Sequence, residues 1–129
     1  MRYIQPASMA PPAGPGSLAV EAHGWVYVSG QVSVNEKREI VGRGDIAAQT
    51  EQVLKNLKAC LEAAGAGLND VVELVIYMKD MADYRPAVVD ARLRYFGSHR
   101  PASTVVGVTS LANPDFLIEI KAVACISNR

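Results

Sequence analysis

Glu119 is the residue whose type and setting most invite chemistry. With Lys121 it is the only charge in Phe116-Leu117-Ile118-Glu119-Ile120-Lys121-Ala122-Val123-Ala124-Cys125-Ile126, the longest apolar, strand-like run of the chain. Side chains alternate along a strand, so Ile118, Ile120, Ala122 and Ala124 share one face, and Leu117, Glu119, Lys121, Val123 and Cys125 the other. A strand apolar on both faces expects cover on both, and a carboxylate set into it is either paired or functional. The paired reading is an ion pair with Lys121, two residues on and on the same face. The functional reading is a carboxylate whose pKa is lifted toward neutrality by Leu117 and Val123, able to orient a water and shuttle a proton.

The other chemistry-bearing residues are sparse. His23 and His99 sit in separate turn-like segments, which argues against a ribonuclease built on paired histidines and against a metal site. Cys60 falls in a predicted helix and Cys125 in a predicted strand, without CxxC spacing, so both read as buried, reduced thiols. Ser29 and Thr104 have no histidine nearby in sequence to make a triad. Gly14 and Gly16 lack the strand-to-helix context of a phosphate loop.

At 129 residues the chain fits one domain spanning 1–129. Thirteen basic residues balance thirteen acidic ones, with no run of like charge, so neither nucleic acid nor a membrane surface is an expected partner. No apolar stretch approaches the roughly 20 residues of a membrane span. The first residues lack the apolar core of a signal peptide, and a cytoplasmic protein is expected.

The elements that must position Glu119 follow from pattern. Pro6, Pro11, Pro12 and Pro15 predict an irregular arm over residues 1–16. Ser17 to Ala22, the turn pair His23-Gly24, and Trp25 to Ser29 read as a β-hairpin. Gly30 then marks a bulge or a place where another group approaches the backbone closely. Asn35 to Gly44 reads as an exposed loop. Asp45 is a plausible N-cap for an amphipathic helix carrying Ile46, Thr50, Val53, Leu54, Leu57, Leu61 and Ala64, stopped by Gly65. Val71 to Met78 reads as an interior strand. A second helix starts after Asp83, tolerates Pro86 in its first turn and stops at Gly97. A short strand around Thr104 to Val108 and the final strand complete the order β-β-α-β-α-β-β. Two helices on one face of a single sheet make an α+β fold. The second face, which Leu117, Val123 and Cys125 share, still needs cover, and a homo-oligomer packed through it is expected.

Several motifs, in order and at compatible spacing along nearly the whole chain, resemble the RidA family, also called YjgF and endoribonuclease L-PSP. They are Gly14-Pro15, Val26-Tyr27-Val28-Ser29-Gly30-Gln31, Gly44-Asp45-Ile46-Ala47-Ala48-Gln49-Thr50, Asp80-Met81-Ala82-Asp83-Tyr84, Arg100-Pro101-Ala102 and Ile118-Glu119-Ile120. The resemblance implies the chorismate-mutase-like fold with one mixed sheet, a homotrimer, and small-molecule sites in the clefts between subunits. It also implies cofactor-free hydrolysis of reactive imines and enamines, such as 2-aminoacrylate, to keto acids and ammonia. It makes Glu119 the holder of the hydrolytic water and places Ser29, Gly30, Gly16, Ser103 and Val105 around the substrate.

Two positions depart from the family pattern. Gly16 stands where the family has a pocket-lining tyrosine, and Ser103 where it has a carboxylate-gripping arginine. Serine offers one neutral donor where arginine offers a charged fork, a difference of about 2 to 5 kcal/mol. Small 2-imino acids such as 2-iminobutanoate and 2-iminopropanoate are therefore not the expected substrates, and an aminomuconate-like enamine is an alternative. Arg100 is a candidate replacement charge, against its plainer reading as a surface cation beside His99. The competing function is a trimer that binds a small metabolite, or acts as an interaction scaffold, without catalysis.

Overall fold

In the computed structural model, which describes residues 1–126, the hairpin forms where the turn pair demands it. β2 (Ala19–Ala22) and β3 (Trp25–Gln31) pair antiparallel about His23 and Gly24. Both turn residues have positive φ, +54° and +85°, as a two-residue turn matching the strand twist requires. Glu21 tightens this end by accepting from the Gly24 amide.

The arm predicted as wholly irregular is corrected at its start. Arg2–Ile4 forms a strand, β1, paired antiparallel with β2. These residues precede the first proline, so their amides are free for the ladder. Ile4 is buried in the core, and Arg2 pairs with Glu21 at 2.7 Å across the register. The Pro-rich stretch after β1 contains no further strand.

The remaining elements are α1 (Ile46–Ala63), β4 (Val71–Met78), α2 (Asp90–Phe96), β5 (Ala102–Gly107) and β6 (Ile118–Cys125). The six strands form one mixed sheet in the order β1-β2-β3-β6-β4-β5, antiparallel throughout except for the β4–β5 pair. The last strand in sequence thus lies in the interior of the sheet. α1 packs on β3 and β6, and α2 lies beside α1, giving the expected α+β layering. The core is the seam between α1 and the sheet, where Val53, Leu54, Leu57 and Leu61 are fully buried with Ile76, Ile118, Ile120 and Ala124.

The second helix differs in form from the expectation. It opens with a wide π turn over Tyr84–Val89 and becomes α-helical only at Asp90. A π turn accommodates one residue more than an α turn, and such bulges are frequent at functional sites. Among the described residues no helix is long and apolar enough to cross a membrane. On the sheet face away from the helices, Trp25 and Tyr27 remain 41% and 56% exposed in the single chain, and Val106 38%.

Asp45 caps α1 as predicted, its carboxylate accepting from the Ala48 amide at 3.0 Å. Denaturant unfolding of Asp45→Ala should show a loss of about 1 kcal/mol, the usual worth of an N-cap side chain.

Candidate active site

The site is built where β3 and β6 fall out of step. Val28 pairs with Ala122 but Gln31 pairs with Ile120, so three residues of β3 span two of β6. The extra residue is a β-bulge at Ser29-Gly30, which re-aims the backbone there. Gly30 serves proximity rather than dihedral: a Cβ at this position would lie 2.0 Å from Glu119 Oε2, so a side chain here would displace the carboxylate from the bulge. Both sequence readings of Gly30, bulge and close approach, describe the same place.

Buried polar side chains on α1 hold the two strands in this relation. Gln49 is fully buried and saturated: its Nε2 donates to Gly42 O and Asp115 O, and its Oε1 accepts from the Leu117 amide at 2.9 Å. It thereby fixes the entry of β6 two residues before Glu119. Asn56 donates to the Val32 and Val34 carbonyls just beyond β3, and accepts from Gln52. Gln31 folds back to donate to Ser29 O, bracing the bulge itself. A half-satisfied buried amide would cost about 1–3 kcal/mol, and the described residues leave no buried side-chain polar atom unpartnered.

Glu119 is half-buried and makes no hydrogen bond or ion pair among the described residues. Lys121 is exposed on the same face and does not neutralise it. Burial pushes the Glu119 carboxyl above the ordinary glutamate value of 4.5. The Lys121 ion pair that the sequence left open is not formed.

Ser29, Gly30, Gly16 and Glu119 come together on one open groove of about 1360 Å³. Its far side is the proline arm, tied to the loop after β3 by Arg38, which donates to the Pro11 and Pro12 carbonyls. The Ser29 hydroxyl donates to Ser17 O, its amide donates to Leu18 O and its carbonyl accepts from Gln31, so Ser29 itself is fully engaged beside the groove.

Ser103 and Val105 lie elsewhere. They pair with Leu74 and Ile76, whose side chains face the helices, whereas Glu119 pairs with Tyr77 on the opposite face. Val105 packs against the core. Ser103 is exposed near the sheet edge and accepts a hydrogen bond from Arg92 Nη1 at 2.9 Å. One chain therefore presents the predicted site in two halves, one on each side of the sheet. Arg100, the candidate replacement cation, donates to the Gly97 and His99 carbonyls and keeps its plainer role at the surface. Arg92 was not singled out by sequence reasoning. Its spacing of eight residues from Tyr84 along a helical stretch was the available signal, and the register that delivers Ser103 to it was not.

Cys60 behaves as the expected buried thiol: it lies against the Met9 sulfur, and burial pushes its pKa up to about 12. Cys125, expected to be buried, is half-buried. His23 is exposed in the hairpin turn, while His99 Nε2 lies 2.7 Å from Val71 O, so the two occupy different elements. Among the described residues no cluster of side chains fits a metal ion.

Residues 7–126 match the sequence profile of a family described as Endoribonuclease L-PSP. The chain is 43% identical, over 94% of each sequence, to the 3-aminoacrylate deaminase RutC of Acinetobacter baylyi. It is 36% identical to the 2-iminobutanoate/2-iminopropanoate deaminase of Dermatophagoides farinae, across 97% of this chain and 96% of that one. The crystal structure of RidA from an Antarctic Psychrobacter superposes with a TM-score of 0.90 at 32% identity, covering 98% of this chain and 100% of that one.

An unpaired carboxylate taken out of water has a cost to folding. A carboxyl whose folded pKa is raised contributes stability below its unfolded pKa, and that stability is lost as pH rises through the folded value. Glu119→Gln should therefore melt at a higher temperature than the parent at pH 7. The gap should close below pH 4.5, where the parent carboxyl is also protonated in both states.

Proposed function

We propose a function from the premise that this chain belongs to the Endoribonuclease L-PSP family, among whose members are proteins named RidA and RutC. Relatives named as imine and enamine deaminases support hydrolytic deamination at the level of the family. For this chain the proposal is cofactor-independent hydrolysis of a reactive imine or enamine. The observation that carries it is the unpaired, half-buried Glu119 carboxylate set against the Gly30 bulge.

The reaction asks little of the protein. An enamine tautomerises to the imine by taking a proton on carbon, and water then adds across C=N. Glu119 accepts a proton from that water as its oxygen bonds to the imine carbon, and returns the proton to nitrogen. Glu119 then takes the hydroxyl proton of the resulting carbinolamine and gives it to nitrogen as the C–N bond breaks, leaving a ketone and ammonia. A carboxylate lifted toward neutral pH suits both steps, because it takes and gives the proton without a large energetic mismatch. Leu117 and Val123, on the same face as Glu119, give the carboxylate its apolar setting.

The two halves of the site reach one substrate only if a second copy contributes one of them. A homotrimer with clefts between neighbouring subunits supplies this and also covers Trp25, Tyr27 and Val106, which a lone chain leaves in water. The buried Cys60 thiol suits the reducing cytoplasm, where we place the protein. The alternative of a binding trimer without chemistry would be favoured by a Glu119–Lys121 pair and a groove filled by side chains, and neither is seen. The Ser103 side chain alone directs the site away from small 2-imino acids and toward a substrate such as an aminomuconate-like enamine. Gly16, which contributes no side chain to the groove wall, leaves room for it.

Ammonia release measured over a panel of 2-imino acids and aminomuconate-like enamines tests the proposal. Glu119→Gln should lower kcat about 10²- to 10⁴-fold on whichever substrate is accepted. The acid limb of the parent pH profile should lie above 4.5. Undiminished turnover in the variant would end the deaminase reading. For assembly, sedimentation velocity should show a trimer, and a stable monomer would contradict the shared cleft.

A further inference from the structure

Among the described residues, Arg92 is a cation without a counter-ion. It projects from α2, half-buried, and one nitrogen, Nη1, donates both to the Tyr84 hydroxyl at 2.7 Å and to the Ser103 hydroxyl at 2.9 Å. Those two bonds use both hydrogens of Nη1. No ion pair among the described residues involves Arg92, and its Nε and Nη2 make no hydrogen bond among them. Arg94, two residues on, shows what a structural arginine on this helix does: it is paired with both Glu51 and Asp90.

A guanidinium held by two neutral hydroxyls is oriented but not neutralised. Its remaining edge, Nε–H beside Nη2–H, is the fork that matches a carboxylate through two parallel charge-assisted bonds. Arg92 lines a hollow of about 200 Å³ together with His99 and Arg100, and no acidic residue among the described ones lines it. The π turn over Tyr84–Val89 lies directly before α2, and it sets the phase in which Tyr84 and Arg92 meet.

We propose that Arg92, positioned by Ser103 and Tyr84, grips the carboxylate of the substrate. Ser103 then serves as an anchor for the arginine of α2, and the substrate of the deaminase carries a carboxylate near the reacting carbon. This rests on the deaminase reading of the site for its substrate class, while the anion grip itself rests on the Arg92 geometry.

The test uses the full chain with pyruvate as carboxylate probe and methyl pyruvate as its uncharged control, followed by calorimetry or ligand-observed NMR. The parent should bind pyruvate more tightly than the ester, and Arg92→Met should weaken pyruvate at least tenfold while leaving the ester within about twofold, the signature of a lost charged contact. Arg94→Met should bind as the parent does. Ser103→Ala, a small change at an exposed strand position, should weaken pyruvate several-fold without a change in melting temperature, which keeps the test open if Arg92→Met folds poorly. Adding Ser103→Arg to Arg92→Met should restore pyruvate binding from the neighbouring strand. Absence of pyruvate binding by the parent, or equal binding by Arg92→Met, overturns the assignment. If imino acids are turned over and Arg92→Met turns them over equally, this inference fails while the role of Glu119 stands. If pyruvate binding depends on Arg92 and no enamine is hydrolysed, the anion grip stands and the deaminase reading fails.

Discussion

Everything that gives this chain a site depends on its last long strand being inserted between two earlier ones. β6 pairs with β3 on one side and β4 on the other, so its inward face must lie flat under α1. Ile118, Ile120, Ala122 and Ala124 do this with almost no exposure, and the small alanines let the helix approach closely. Because side chains alternate, burying that set obliges Glu119 to face the other way. A one-residue slip would send the carboxylate into the hydrocarbon core, at a cost far above that of any contact it makes now. The placement of the charge is thus enforced by the packing of its neighbours.

The constraint also explains why so many polar groups are spent on the start of β6. Gln49 binds the Leu117 amide and the Asp115 carbonyl from within the core, and Asn56 binds the Val32 and Val34 carbonyls past the bulge. The two amides belong to one helix and hold two different strand ends. α1 is therefore a ruler as well as a hydrophobic cover: it sets where the bulge and Glu119 meet. Rigid support from a helix keeps a reacting group in place more tightly than loop contacts can.

Much of this was legible in the sequence, and what was missed has physical causes. Periodicity and turn chemistry gave the hairpin, α1 with its Asp45 cap, β4 and β6, because each rests on local rules. Gly30 was readable as a close approach because no local rule needed a glycine inside that strand. The strand at Arg2–Ile4 was hidden by the prolines after it, since three residues carry no period and its stability comes from Glu21 and the core. Gln49 and Asn56 read as ordinary polar residues on a helix, and only the tertiary fold shows that the strand ends need them. The pairing of Arg92 with Ser103 was invisible for the same reason: a parallel register between β4 and β5 decides which face Ser103 takes, and no spacing in sequence encodes it.

The two sides of the sheet make opposite electrostatic choices, and this is the main clue to how the molecule works. Among the described residues, a carboxylate on one side is held half-buried with no cation paired to it, and on the other a guanidinium is held by hydroxyls with no anion paired to it. Either alone is a folding cost that a single substitution could relieve. A protein selected only for stability would place a partner next to each, as it has done for Arg94 and for Arg2. The two charges cannot neutralise each other within one chain, because the sheet lies between them. In the proposed trimer they serve one ligand across an interface between copies, where the substrate would bring the anion for Arg92 and the electrophile for the water on Glu119. Assembly and chemistry would then be coupled, because the exposed apolar face around Trp25 and Tyr27 proposed for association is the same face from which Glu119 projects.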